Sequence, residues 1–342
     1  MTPMLPSSHL SALWKKGTDF LGTPYAVMGG AMSWVSERNL VAAVSDAGAF
    51  GVIACSSMTP DLLEEEIAAA KALTSKPFGV NLIVMHPKLD ELADVCLRQN
   101  VSHIVLAGGL PSKALIDKIQ RAGSKAIAFA PALPAAKRLA RFGIDALVIE
   151  GSEAGGHIGP TSTSVLCQEI LPHMAHALPI FVAGGIGRGE AVAAYLRMGA
   201  AGVQIGTRLV CATESIAHPA FKRAFVNAHA RDAAVTVQLD PDFPVIPVRA
   251  LKNKATDLFM QAQKDAISDY KSGKLSKNEA ALQIEHFWAG ALRRAVIDGD
   301  VENGSLMAGQ SVGMVEKEEP TRDILARLVR ETEDALRAGP MS

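Results

Sequence analysis

Between Pro179 and Arg208 the chain reads "PIFVAGGIGRGEAVAAYLRMGAAGVQIGTR". A short apolar run, residues 179–183, turns through glycines into an amphipathic stretch at 187–200. It emerges as a second apolar run at 202–206. The two runs have strand length and strand composition, and the segment between them has helix length. This is a strand–helix–strand unit, and a helical crossover makes its two strands parallel.

The unit recurs upstream. Apolar runs lie at 24–28 (PYAVM), 51–54 (GVIA), 78–84 (FGVNLIV), 103–107 (HIVLA), 126–130 (AIAFA) and 146–150 (ALVIE), making eight with the two above. Amphipathic stretches at 60–76 and 111–123 fill two of the gaps, and several such stretches end in glycine, a common helix C-cap. Eight units in about 215 residues predict an α/β fold, a (β/α)8 TIM barrel, because eight is the count at which such a sheet meets itself. An open doubly wound sheet usually stops at roughly five to seven strands.

After Thr207 the rhythm breaks. Residues 216–305 read as helices around an irregular, proline-containing stretch, "VTVQLDPDFPVIPVRALKN" (235–253). The expectation is a barrel over 1–215, a smaller, mostly helical substrate-side domain over 216–305, and a segment over 306–342 that returns to the barrel. That last segment ends in a helix with Ile324, Leu325, Leu328, Val329 and Leu336 on one face.

With 49% hydrophobic and 20% charged residues, the 342-residue chain can bury a large core. Its net charge of −1 favours neither nucleic acid nor an anionic membrane as a partner. Cys55, Cys96, Cys167 and Cys211 are widely spaced, which suits free buried thiols in a reducing compartment. The N-terminus makes a poor signal peptide, and no apolar run approaches the ~18 residues of a membrane span. A cytoplasmic protein is expected.

Barrel enzymes build their sites from the loops that follow the strands. "AGGIGRGE" (183–190) and "GTR" (206–208) follow the seventh and eighth runs. Glycines there let backbone N–H groups approach an anion, and the next helix adds its positive end, so a phosphate-bearing ligand is expected. The same glycines would also serve tight turns. Asn81 and Gln204 can hydrogen-bond a heterocycle from the mouth, or be satisfied interior polar groups. "IEGSEAGGHIGP" (149–160) sets His157 among glycines after the sixth run, near Glu150 and Glu153. An accessible histidine there can transfer protons, or be a loop residue bonded to backbone. No second histidine stands at ligand spacing, so no metal site is expected.

The stretches "GGAMSWV" (29–35), "KPFGVNL" (76–82), "EGSEAGGHIG" (150–159), "VAGGIGRGEAV" (182–192), "GVQIGTR" (202–208), "ESIAHPAFK" (214–222) and "GDVENGSLMAGQSVGM" (299–314) occur in this order. Together they resemble the FMN-dependent superfamily of nitronate monooxygenases (2-nitropropane dioxygenases) and enoyl-acyl-carrier-protein reductase II. The resemblance implies that Ala183, Gly184, Gly185, Gln204, Gly206 and Thr207 contact FMN phosphate and ribityl. It implies Asn81 as a flavin partner, with Gly30, Ala31, Met32, Glu150, Gly155 and Gly156 also at the cofactor, and His157 as the active-site histidine. One departure is the absence of the glutamine often found before Met32.

The C-terminal part tips the likeness: "GDVENGSLMAGQSVGMVEKEE" (299–319), "VRALKN" (248–253) and, earlier, "AGGHIGPTST" (154–163) are more similar to enoyl reductase II. That implies reduction of an enoyl thioester, carried on CoA or an acyl carrier protein, with NADH or NADPH as co-substrate. One alternative is oxidation of alkyl nitronates with O2. Another is a non-redox barrel that binds a phosphate ligand. A homodimer is also an expectation.

Overall fold

The structure is a computed structural model that describes residues 5–240, 242–243 and 245–338. Each of the eight apolar runs forms a strand: β1 (Val27–Gly29), β2 (Gly51–Ala54), β3 (Phe78–Ile83), β4 (His103–Ala107), β5 (Lys125–Phe129), β6 (Ala146–Glu150), β8 (Ile180–Ala183) and β9 (Gly202–Ile205). Three other strands, β7 (Gly156–His157), β10 (Ala233–Val235) and β11 (Val248–Leu251), form a separate antiparallel sheet with β11 in the middle.

The eight strands pair in parallel, from β2 round to β9 and from β9 to β1. The ring closes through a parallel bridge between Met28 and Phe50. There the Gly29 N–H donates to the Phe50 carbonyl at 2.8 Å, and the Phe50 N–H donates to Val27 at 2.9 Å.

Strand periodicity of two sorts the side chains. Met28, Phe50, Val52, Val105, Ile127, Ala146, Val148, Phe181 and Ala183 fill the ring, with Leu21 packed among them. The alternate set, including Ile53, Val80, Ile104, Leu147, Ile149, Val182 and Val203, faces the outer helices. A fully buried side chain such as Phe181 contributes about 1.5–3 kcal/mol.

The inner set turns polar at the C-terminal ends of the strands. Asn81 stands in register with Val105, and Glu150 with Ala183, which pairs in turn with Gln204. Registered neighbours share a face of a parallel sheet, so all three polar side chains point into the barrel mouth.

The helices follow from local signals. Pro60–Leu73 starts with proline in its first turn and with the Thr59 hydroxyl accepting from Leu62 N–H at 3.3 Å. The last helix, Thr321–Arg337, buries Ile324, Leu325, Leu328, Val329 and Leu336 and lies on the helix Gly189–Arg197. There the Arg197 guanidinium donates to the Ala335 and Leu336 carbonyls, both at 3.3 Å.

A second, smaller core gathers Phe243 from the stretch before β11 with Val248 of β11 and Phe259, Ala266, Ala280, Ile284 and Trp288 of the helices Lys254–Lys271 and Lys277–Val296. The stretch at 235–253, which reads as irregular in sequence, therefore contains a central strand. Its partner on one side, β7, comes from the loop after β6, and local sequence carries no mark of that pairing. All four cysteines are free and buried. No helix among the described residues is long and apolar enough to cross a membrane.

Candidate active site

Loops from three neighbouring barrel strands meet at the mouth. After β8, Gly184 and Gly185 take φ of +97° and +71°, a region that favours glycine. Crowding reinforces the choice. A Cβ on Gly184 would stand 2.8 Å from the Thr163 hydroxyl, and one on Gly185 would stand 2.9 Å from Glu153 Cβ.

Among the described residues, no acceptor takes the N–H groups of Gly184, Gly185 or Thr207. Thr207 opens the short 3-10 helix Thr207–Leu209, whose first N–H groups have no partner within it. Unpaired donors on two adjacent loops can receive an anion. The longer helix after β8 does not add its positive end in the expected way. The Gly189 N–H donates to the Glu331 carboxylate at 2.9 Å, because the last helix packs directly over that terminus.

The polar ring below these loops is short of partners. Asn81 is 5% exposed and donates to the Val105 carbonyl at 3.2 Å, while Gln204 is 8% exposed. The Gln204 and Glu150 side chains make no hydrogen bond to another described residue. Glu150 keeps part of its surface accessible, yet protein crowds its carboxyl, and burial pushes its pKa up to about 8. It is a neutral acid at neutral pH and can donate a hydrogen bond.

The stretch after β1 folds against the β9 end. Gly30 N–H donates to the Ile205 carbonyl at 2.8 Å. The Ser36 hydroxyl donates to the Gly30 carbonyl at 2.7 Å and accepts from Met32 N–H at 3.0 Å. Half-buried Ala31 and Met32 are thereby held near Gly206, where an added Cβ would meet the Met32 sulfur at 3.5 Å.

His157 is exposed and lies in β7, opposite Val248, with Gly156 opposite Arg249. Arg249 is 8% exposed; its Nε donates to the Ser152 carbonyl at 2.9 Å and its Nη1 to the Ala233 carbonyl at 2.5 Å. Burial lowers its pKa, and attraction to Glu153 opposes that shift. The Glu153 carboxylate accepts from the backbone and the hydroxyl of Thr163, both at 2.9 Å, and so caps the helix Thr163–Met174.

A late segment of the chain backs this loop. A Cβ on Gly155 would stand 2.6 Å from the Ala308 carbonyl carbon and the Gly309 nitrogen. Gly309 N–H donates to the Thr207 hydroxyl at 2.9 Å, and Gln310 N–H donates to the Glu153 carbonyl at 2.9 Å.

The fold thus brings Gly30–Met32, Asn81, Glu150, Ala183–Gly185, Gln204 and Gly206–Thr207 to one mouth. It sets Gly155, Gly156 and His157 at the junction with the small sheet. Sequence reading misses Arg249, whose acceptors are carbonyls that carry no residue identity. It also misses the capping by Glu153 and the backing by Ala308–Gly309.

The family described as nitronate monooxygenase matches residues 15–96 and 89–331 of this chain. A relative from Mycobacterium tuberculosis, named a 5-hydroxy-7a-methyl-1-oxo-octahydro-1H-indene-4-carboxyl-CoA dehydrogenase, is 29% identical, with 91% of this chain and 94% of that protein covered. The structure of FabK from Thermotoga maritima superposes with a TM-score of 0.83 at 33% identity, covering 94% of this chain and 96% of that one. A nitroalkane oxidase from Streptomyces ansochromogenes gives 0.73 at 27% identity, covering 94% and 99%. Because the family match runs through the barrel and on into the small sheet and its helices, the chain belongs to the nitronate monooxygenase family and is an oxidoreductase.

Proposed function

We propose that the protein binds FMN at the barrel mouth and reduces an enoyl thioester, carried on CoA or an acyl carrier protein, with NADH or NADPH. In this reading residues 1–215 are the FMN-binding barrel, 216–305 the substrate-side domain and 306–342 the returning segment. The mouth fits the cofactor. Gly184, Gly185 and Thr207 would offer N–H groups to its phosphate, and a Cβ at either glycine would collide with its neighbours. Asn81, Gln204 and protonated Glu150 would face its polar edge, with Gly30, Ala31 and Met32 alongside. FMN, when bound, supplies the two-electron chemistry. His157, exposed beside the mouth loops, would hold the proton delivered to the substrate carbon.

One observation carries the thioester reading. The stretch 299–319, which with 248–253 and 154–163 is more similar to enoyl reductase II, supplies Ala308 and Gly309 to the wall of this site. The relative named for a carboxyl-CoA substrate supports it. The second reading, oxidation of alkyl nitronates with O2, is favoured by the family description and by the nitroalkane oxidase neighbour.

Purified protein should be yellow, and crotonyl-CoA or a longer enoyl thioester should accelerate its oxidation of NADH or NADPH. No acceleration by any enoyl thioester, together with anaerobic bleaching by propyl nitronate, would select the second reading. Protein that stays colourless after incubation with FMN would reject both.

A further inference from the structure

The imidazole assigned to proton transfer is carried by the small sheet. β7 contains only Gly156 and His157, and its attachment to β11 continues in Ile158, whose N–H donates to the Pro247 carbonyl at 3.0 Å. Arg249 is the charged residue of β11. It reaches the Ser152 carbonyl in the histidine loop with Nε and the Ala233 carbonyl in β10 with Nη1. One guanidinium therefore joins the loop after β6 to the far strand of the small sheet.

No carboxylate forms an ion pair with Arg249 among the described residues, and Glu153, the acid that attracts it, is committed to Thr163. Burying a cation without a paired anion is unfavourable, and here the compensation consists of two backbone carbonyls, one from the histidine loop and one from β10.

We infer that Arg249 is a positioning residue for His157: it fixes the loop from Ser152 to Ile158 against the small sheet, and so sets where the imidazole stands. The inference rests on the assignment of His157 made above. Two measurements on the protein as purified separate the two claims.

In hydrogen exchange, Arg249→Met keeps the aliphatic stem and removes the donors. The amides of Ser152 and Ile158 should then exchange at least about tenfold faster, with those of Leu147–Ile149 unchanged. Unchanged exchange at Ser152 and Ile158 overturns the inference whatever the substrate is. Arg249→Lys keeps the charge and a donor, should exchange at an intermediate rate, and carries the same test where the Met variant does not fold.

In turnover, Arg249→Met should lower kcat at least about tenfold, change KM less than about twofold, and have almost no effect in a His157→Ala background. An equal loss in both backgrounds makes Arg249 a general support of the fold and overturns the inference. If His157→Ala alone leaves turnover intact, the assignment of His157 fails, and the exchange rates still decide whether Arg249 fixes the loop.

Discussion

The loop after β8 and the loop after β6 leave strands that pair directly, with Ala183 at one root and Glu150 at the other. Both are rich in glycine, yet their backbones do different work. Gly184 and Gly185 take positive φ and, among the described residues, leave their N–H groups without acceptors, an arrangement that suits a ligand. Gly155 is instead enforced by the Ala308–Gly309 backbone pressed against it, and Gly156, also at positive φ (+79°), is a strand residue opposite Arg249. In the proposed function one loop is a receptor built on the barrel; the other is an arm held by the rest of the chain. Composition alone does not separate these roles, because glycine permits both a left-handed backbone and a close approach.

The comparison breaks most sharply at His157. His157→Ala should lower turnover by roughly 10²- to 10⁴-fold while flavin content stays unchanged, the usual result of losing an acid–base group. Turnover equal to the parent would return the arm to a structural role.

Gly185→Val is the opposite experiment. The side chain would meet Glu153 and strain a backbone at φ +71°. FMN affinity, read by titration of the apoprotein, should weaken roughly 10- to 100-fold. Retention of FMN at parental affinity would remove the receptor role from the loop after β8.

The smallest effect lies between the two loops, at Glu150. Burial holds its carboxyl near pH 8 in the folded protein, well above the ordinary carboxylate range. The folded state therefore binds this proton more tightly than the unfolded chain does. Its contribution to stability is fully present below about pH 4 and is lost as pH rises through about 8. Glu150→Gln, which cannot ionise, should raise the Tm of the apoprotein by a few degrees above that upper pH and change it little at the acid end. An equal Tm difference at both ends would show that Glu150 is not held protonated by burial.

The barrel is legible in the sequence because parallel strands covered by helices must be apolar along their length, as "ALVIE" and "PIFVA" are. The glycine-bearing loops after β8 and β9 are legible for a related reason, since both follow strand ends directly. β11 is not. Its "VRAL" lies next to prolines, and its pairing depends on β7, two residues contributed by a loop far earlier in the chain. The helix end at Gly189 misleads in the same manner. Its positive pole is plain from sequence, but its occupation by Glu331 depends on where the last helix packs.

The hydrogen bond from Gly309 to Thr207 spans 102 residues and has a consequence in time. All eight strands of the ring have been synthesised once the chain passes Ile205, whereas the backing of the loops after β6 and β9 is made only with Ala308–Gln310. Regions made early can fold before the rest of a chain emerges. The ring can therefore close on a nascent chain while its mouth is still open-walled. Completing the site waits until the 102 residues from Thr207 to Gly309 have been added to a frame that is already standing.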